Sequence, residues 1–284
     1  MLQGSPRGAF FVAMAMTQEP FASEGMPIDE EEALRRLEQR DDAADRYYAA
    51  WWLGHERSLH PRTLPLLRKA LQELLSAGEE PDEDSRTLGL NVLRAMVHLD
   101  SSSAREEILS CLIHHDSNIR EEATRTAASE GLLESVAVIC SQLNADDPTN
   151  DRLIEAQIEA LGDLGDASAA VIETLVRFTG DLRPLIRSAS LRAMLLLTAD
   201  AKWATDFPSL LESSSTLVRR GVLLDLGAVG WIPALDWISK SPTENSIKLI
   251  ALRGLAEHPR GHEPLGMTDE QACQMVLQAM DQLL

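Results

Sequence analysis

Ser117-Asn118-Ile119-Arg120-Glu121-Glu122-Ala123-Thr124-Arg125-Thr126-Ala127 begins with two side chains whose oxygens accept the unpaired N–H groups of a first helical turn, then continues as an apolar-periodic run. Its last three residues recur along the chain. Arg125-Thr126-Ala127 aligns with Leu93-Arg94-Ala95, Glu159-Ala160-Leu161, Leu191-Arg192-Ala193, Leu223-Leu224-Asp225 and Leu252-Arg253-Gly254, at successive spacings of 32, 34, 32, 32 and 29 residues. That period holds two short helices and two turns. The same opening chemistry stands at Asn150-Asp151, Ser214-Ser215 and Thr243-Glu244, while Gly131, Gly165 and Gly230 supply the residue that ends a helix in the left-handed conformation. Strand-like alternation is nearly absent. These observations predict an all-α fold, an α-α superhelix of HEAT-like repeats, with 12 to 15 helices in a crescent-shaped stack whose pairs bury their apolar faces only against each other.

Composition narrows the function. With 284 residues, a net charge of −19 and a pI near 4.7, the chain lacks the basic face that a nucleic-acid partner requires. No apolar run approaches the roughly 20 residues of a membrane span. Ala9 to Met16, after Arg7, has the look of a short signal segment, but no A-x-A site follows. Residues 1–27 read as a disordered leader and 28–284 as the repeat domain. Cys111, Cys140 and Cys273 show no paired spacing and suit a reducing cytoplasm, as small side chains in apolar helical patterns.

Aromatic residues make up 4% of the chain, yet four of them lie in Tyr47-Tyr48-Ala49-Ala50-Trp51-Trp52-Leu53. On a helical wheel the four rings fall in a stripe roughly 140° wide, with His55 in its middle and Ala49, Ala50, Leu53 and Gly54 opposite. The small side is smooth enough for a neighbouring helix to approach closely. Such a stripe reads in two ways. It is core packing, or it is a wall for a large flat polar ligand that satisfies the phenols and indoles. Tyr48 and Trp52, nearer the acidic Asp41 and Asp45 edge of the stripe, are expected to face the concave side, with Tyr47 and Trp51 partly buried against the next helix.

Other catalytic patterns are missing from the chain, which has no G-x-S-x-G, Walker loop, H-E-x-x-H or C-x-x-C. His114-His115 would point about 100° apart on a helix and do not suggest a metal site. His60-Pro61 and His258-Pro259 read as turns, and Asp29-Glu30-Glu31-Glu32 as the acidic opening of a helix.

YYAAWWL also resembles a signature of the E subunits of the E/F-type phycobilin lyases, which attach linear tetrapyrroles to cysteines of phycobiliproteins. Asn118-Ile119-Arg120-Glu121-Glu122-Ala123, Arg220-Gly221-Val222-Leu223-Leu224-Asp225-Leu226-Gly227-Ala228 and Glu244-Asn245-Ser246-Ile247-Lys248-Leu249-Ile250-Ala251-Leu252-Arg253-Gly254-Leu255 agree with that family in order and spacing. The likeness extends from about residue 30 to about residue 260.

The resemblance implies a cyanobacterial cytoplasmic lyase with a homologous F-type partner, a phycobiliprotein alpha subunit as acceptor, and a bilin as substrate in place of a permanently bound cofactor. It implies no metal. A thiol would add to the ethylidene group on ring A, and the lyase would hold the tetrapyrrole in one conformation. In that reading Tyr47, Tyr48, Trp51 and Trp52 form the stacking wall, and His55 or Tyr48 donates a proton. Asp45, or Asp41 placed on the same wheel, faces the pyrrole nitrogens. Arg57, Arg86 and Arg120 are the candidate propionate partners, ahead of Arg46, which points away from the stripe; the other reading for each arginine is a surface or inter-repeat ion pair. Two alternatives share the fold: a HEAT-like protein that removes bilins or promotes phycobilisome breakdown, and a non-catalytic adaptor.

Overall fold

The computed structural model describes residues 28–78, 81–145 and 150–284. The expected leader, 1–27, lies outside the described residues. Fifteen α-helices are found among them, with one isolated bridge between Trp231 and Arg260 as the sole extended pairing. The helical expectation holds. The chain divides into two compact units, Met1–Ala160 and Leu161–Leu284.

In the first unit α1 (Glu30–Glu38), α3 (Thr63–Ser76), α5 (Arg105–Cys111) and α7 (Ser135–Leu143) alternate with α2 (Ala43–His55), α4 (Glu83–Met96), α6 (Ser117–Ser129) and α8 (Asp151–Leu164), the unit boundary falling within α8. Helices α2, α4 and α6 pack in succession as one layer, and α1, α3 and α5 as the other. Leu34, Leu53, Leu67, Leu71, Leu93, Met96, Ile108 and Ile119 fill the space between the layers and are fully buried.

The second unit repeats the plan with α9 (Ala169–Val176), α10 (Pro184–Thr198), α11 (Phe207–Leu211), α12 (Thr216–Val229), α13 (Leu235–Lys240), α14 (Asn245–Glu257) and α15 (Asp269–Asp281). There α10, α12 and α14 form a layer. Phe207, Val222, Leu226, Leu252 and Leu255 belong to its core.

Local chemistry explains the boundaries. The cap of α6 lies one residue before those expected, because the Asp116 carboxylate accepts from the N–H groups of Asn118 (2.7 Å) and Ile119 (3.3 Å). Asp29, Asp42 and Asp82 cap α1, α2 and α4 in the same way, while Ser215 caps α12 as expected. Gly131, Gly165 and Gly230 all adopt positive φ.

Small residues set the spacing between helices of one layer. A Cβ on Gly54 would lie 2.5 Å from the Ala95 Cα, and Gly227 meets Ala251 with the same intimacy. Cations tie three of the pairs near their turns. Arg120 donates to the carbonyls of His114 (2.7 Å) and His115 (2.9 Å), Arg219 to Ser213 (2.6 Å), and Lys248 to Ser239 (3.0 Å).

Candidate functional site

Helix α2 carries the aromatic stripe. Asp42 accepts from the Asp45 N–H at 3.1 Å, so the helix begins at Ala43. Asp41 therefore stands outside the helix, exposed in the preceding bend, with its N–H bonded to Gln39 Oε1 at 2.5 Å. That corrects its expected place on the wheel: the capping carboxylate ends helical geometry one residue after it. Asp45 remains on the helix and pairs with Arg36 of α1 at 3.1 Å.

The smooth side is buried as read from the sequence: Ala49, Ala50, Leu53 and Gly54 are all enclosed. Opposite it, Tyr48, Trp51 and His55 form a continuous ledge. The Tyr48 and Trp51 rings lie 5.5 Å apart and tilted by 32°, and the Trp51 and His55 rings stack at 4.9 Å and 12°. Trp51 is 38% exposed, and the His55 side chain 61%. Trp52 instead packs on the core with Tyr47. The outward pair is thus Tyr48 and Trp51, which reverses the expected roles of the two indoles.

Tyr47 donates its phenol to Asp84 of α4, and burial followed by that carboxylate drives its pKa upward, so it stays a neutral donor. It borders a cleft of about 220 Å³ between α2, α3 and α4, where Arg40 and Arg46 both bind Glu73, at 2.6 and 2.8 Å.

Arg86 and Arg120 come together elsewhere, around the turn between α5 and α6. Arg86 binds the Asp116 carboxylate, and Arg120 the two carbonyls just before it. Both expected propionate partners are thereby occupied in holding that turn. Arg57 is different: it is exposed just beyond α2. His98, which the sequence did not single out, faces this end of the stack. Its pKa is lowered by burial and then by the charges of Arg57 and His55. No periodic or motif signal marks it, since it reaches α2 only through the packing of Gly54 on Ala95.

His114 and His115 lie in the turn, not on a helix, and their rings touch at 4.1 Å. Among the described residues no group of three or more metal-ligating side chains converges. Burial pushes the Cys111 thiol up to about 12, which leaves it protonated and unreactive. No helix of the described residues is long and apolar enough to cross a membrane.

Comparison with known proteins places this geometry in context. The PBS lyase HEAT-like repeat matches residues 45–73, which include the whole aromatic ledge. The chain is 42% identical over 255 residues to the bilin biosynthesis protein RpcE of Synechococcus sp. (strain WH8020), covering 84% of this chain and 94% of that protein. It is 34% identical over 236 residues to the phycocyanobilin lyase subunit alpha of Picosynechococcus sp. (strain ATCC 27264 / PCC 7002 / PR-6), covering 80% and 86%. In three dimensions it resembles a chain in the complex of CpcE and CpcF of phycocyanin lyase from Nostoc sp. PCC7120, with a TM-score of 0.75, 29% identity, and coverage of 94% of this chain and 99% of that one.

Proposed function

Because the chain belongs to the family of phycocyanobilin lyase alpha subunits, the E-type chains of the bilin lyases, we propose that its aromatic ledge on α2 is the surface that receives the tetrapyrrole. The observation that carries this assignment is the stack of Tyr48, Trp51 and His55, which leaves three polar-edged rings in line and open on one side. Burying such rings without partners is costly, and a flat conjugated ligand with lactam and pyrrole groups satisfies both their faces and their edges.

The chemistry asked of the protein is modest. A cysteine thiol of a phycobiliprotein alpha subunit adds to the ring A ethylidene group: the carbon–sulfur bond forms, and the thiol proton ends on the tetrapyrrole. Holding the bilin in one conformation beside the thiol supplies much of the rate, on the order of 7 to 11 kcal/mol in ideal cases. His55 and the Tyr48 phenol are placed to deliver or relay the proton, both being on the exposed ledge. Asp45, sharing its carboxylate with Arg36, stands beside the ledge to hydrogen-bond protonated pyrrole nitrogens, with Asp41 in the adjoining bend as the second acid.

The relative of known structure is held in a complex of two chains, and an F-type partner is proposed here as well. Acting on phycobilisome components, the proposed pair would work in the cytoplasm. The deciding experiment is co-expression of this chain with an F-type partner, an apo phycocyanin alpha subunit and phycocyanobilin, with the covalent adduct read by zinc fluorescence on a denaturing gel. An adduct that needs both lyase chains supports attachment. Loss of bilin from a preformed adduct would instead favour the detaching activity, and no bilin binding at all the adaptor.

A further inference from the structure

Helix α2 ends with an arginine where the matching turn of α6 has a glycine. Ser58 N–H bonds the Leu53 carbonyl at 2.9 Å and Arg57 N–H the Gly54 carbonyl at 3.1 Å, the two crossed bonds of a Schellman turn. Helix α6 closes with the same pair, Leu132 to Ala127 at 2.9 Å and Gly131 to Ala128 at 3.0 Å. At the left-handed position α6 has Gly131, with φ of 65°, whereas α2 has Arg57, with φ of 53°. Glycine enters this conformation freely, while a Cβ there crowds the backbone. Among the described residues Ala199 is the one other non-glycine residue with positive φ.

The arginine gains nothing locally for that cost. Its side chain is exposed and makes no hydrogen bond or ion pair with any described residue. Its surroundings are fixed by packing nevertheless. His55 is two residues away and stacked on Trp51, and the contact of Gly54 with Ala95 sets the end of α2 against the end of α4, next to His98. The charge of Arg57 is felt there, since it helps to depress the His98 pKa. Two residues beyond the last ring of the ledge, the chain therefore carries an uncommitted guanidinium.

We propose that Arg57 is the carboxylate anchor of the bilin site: a ring system lying on Tyr48, Trp51 and His55 places a propionate against its guanidinium, which fixes the direction in which the tetrapyrrole lies along α2. This rests on the bilin reading of the ledge and adds its polarity. A guanidinium matches a carboxylate with two parallel N–H donors, so the anchor orients as well as attracts. The chain's strong negative charge makes one uncommitted cation beside the stack a selective feature, since a dianionic ligand is repelled by most of the remaining surface.

The test uses the co-expressed complex with an F-type partner and two probes, phycocyanobilin and its dimethyl ester, titrated by absorbance. Arg57→Gly places the favoured residue in the turn, so the variant should melt at or above the wild-type temperature. It should bind the free acid about tenfold more weakly and the ester as wild type does, while Arg57→Lys recovers part of the loss. Equal binding of the acid by wild type and Arg57→Gly, or equal losses for acid and ester, would overturn the anchor while leaving the ledge intact. Failure of wild type to bind either probe would overturn the ledge, and the anchor with it.

Discussion

Trp51 and Trp52 lie about 50° on either side of the direction opposite the buried face of α2, so their angle from that face does not separate them, and nearness to the acidic edge pointed to the wrong one. What separates them is a neighbour: Trp52 is drawn onto the core and Trp51 is left on the ledge. Trp51→Leu should lower bilin affinity by roughly tenfold, the scale of one lost ring stack, with little change in melting temperature. Trp52→Leu should instead lower stability by about 3 kcal/mol and leave the remaining folded protein able to bind. Absorbance titrations and thermal melts of both variants decide it, and an unchanged affinity in Trp51→Leu would remove the ledge from the site. The composition of the stripe was legible in the sequence, down to the four residues of its buried side. Which indole stayed outside was not, because the wheel contains no second helix.

At the scale of the element, helix approach and buried charge govern α2 and α8. The contact between α2 and α4 has no room for a methyl group, since a Cβ on Gly54 would stand 2.5 Å from the Ala95 Cα and 3.0 Å from its carbonyl oxygen. Gly54→Ala should cost about 1 to 3 kcal/mol in denaturant unfolding and distort the ledge that the same helix carries. An unaltered midpoint would show that the helices do not pack as described. On α8, burial and then the neighbouring charge of Glu159 push the Glu155 carboxyl up to about 7, against an ordinary value of 4.5. The folded chain thus holds that proton more tightly than the unfolded one, and the group's contribution to stability is lost as pH rises from about 4.5 towards 7. Glu155→Gln should accordingly be more stable than wild type at pH 8, by about 2 kcal/mol, with the difference fading near pH 4. Melting both proteins across that range checks the sign: a gain at pH 4 that vanishes at pH 8 would contradict it.

For the whole molecule the dominant property is charge. At −19, two copies of this chain repel each other, whereas a less acidic F-type partner would meet it with complementary potential. Sedimentation of the co-expressed chains should give a 1:1 heterodimer whose association weakens with added salt, and an equally tight homodimer would count against the proposed assembly. The architecture itself was readable in advance, because a period near 32 residues, with capping and glycine signals at each end, admits little besides stacked helix pairs. Caps were mislaid by single residues, as at Asp116, where an aspartate one place earlier took the role given to Ser117-Asn118. The arginines show the deeper limit. Arg57, Arg86 and Arg120 are chemically identical in the sequence, yet Arg86 and Arg120 are occupied at the turn before α6 and Arg57 stands unpaired in a strained backbone position. The sequence by itself determined helix, period, buried face and family, since each depends on local spacing and side-chain type. Only the tertiary structure decided which ring is exposed, which cation is uncommitted and which histidine faces it, because those depend on what the neighbouring helices cover and on the partners they bring.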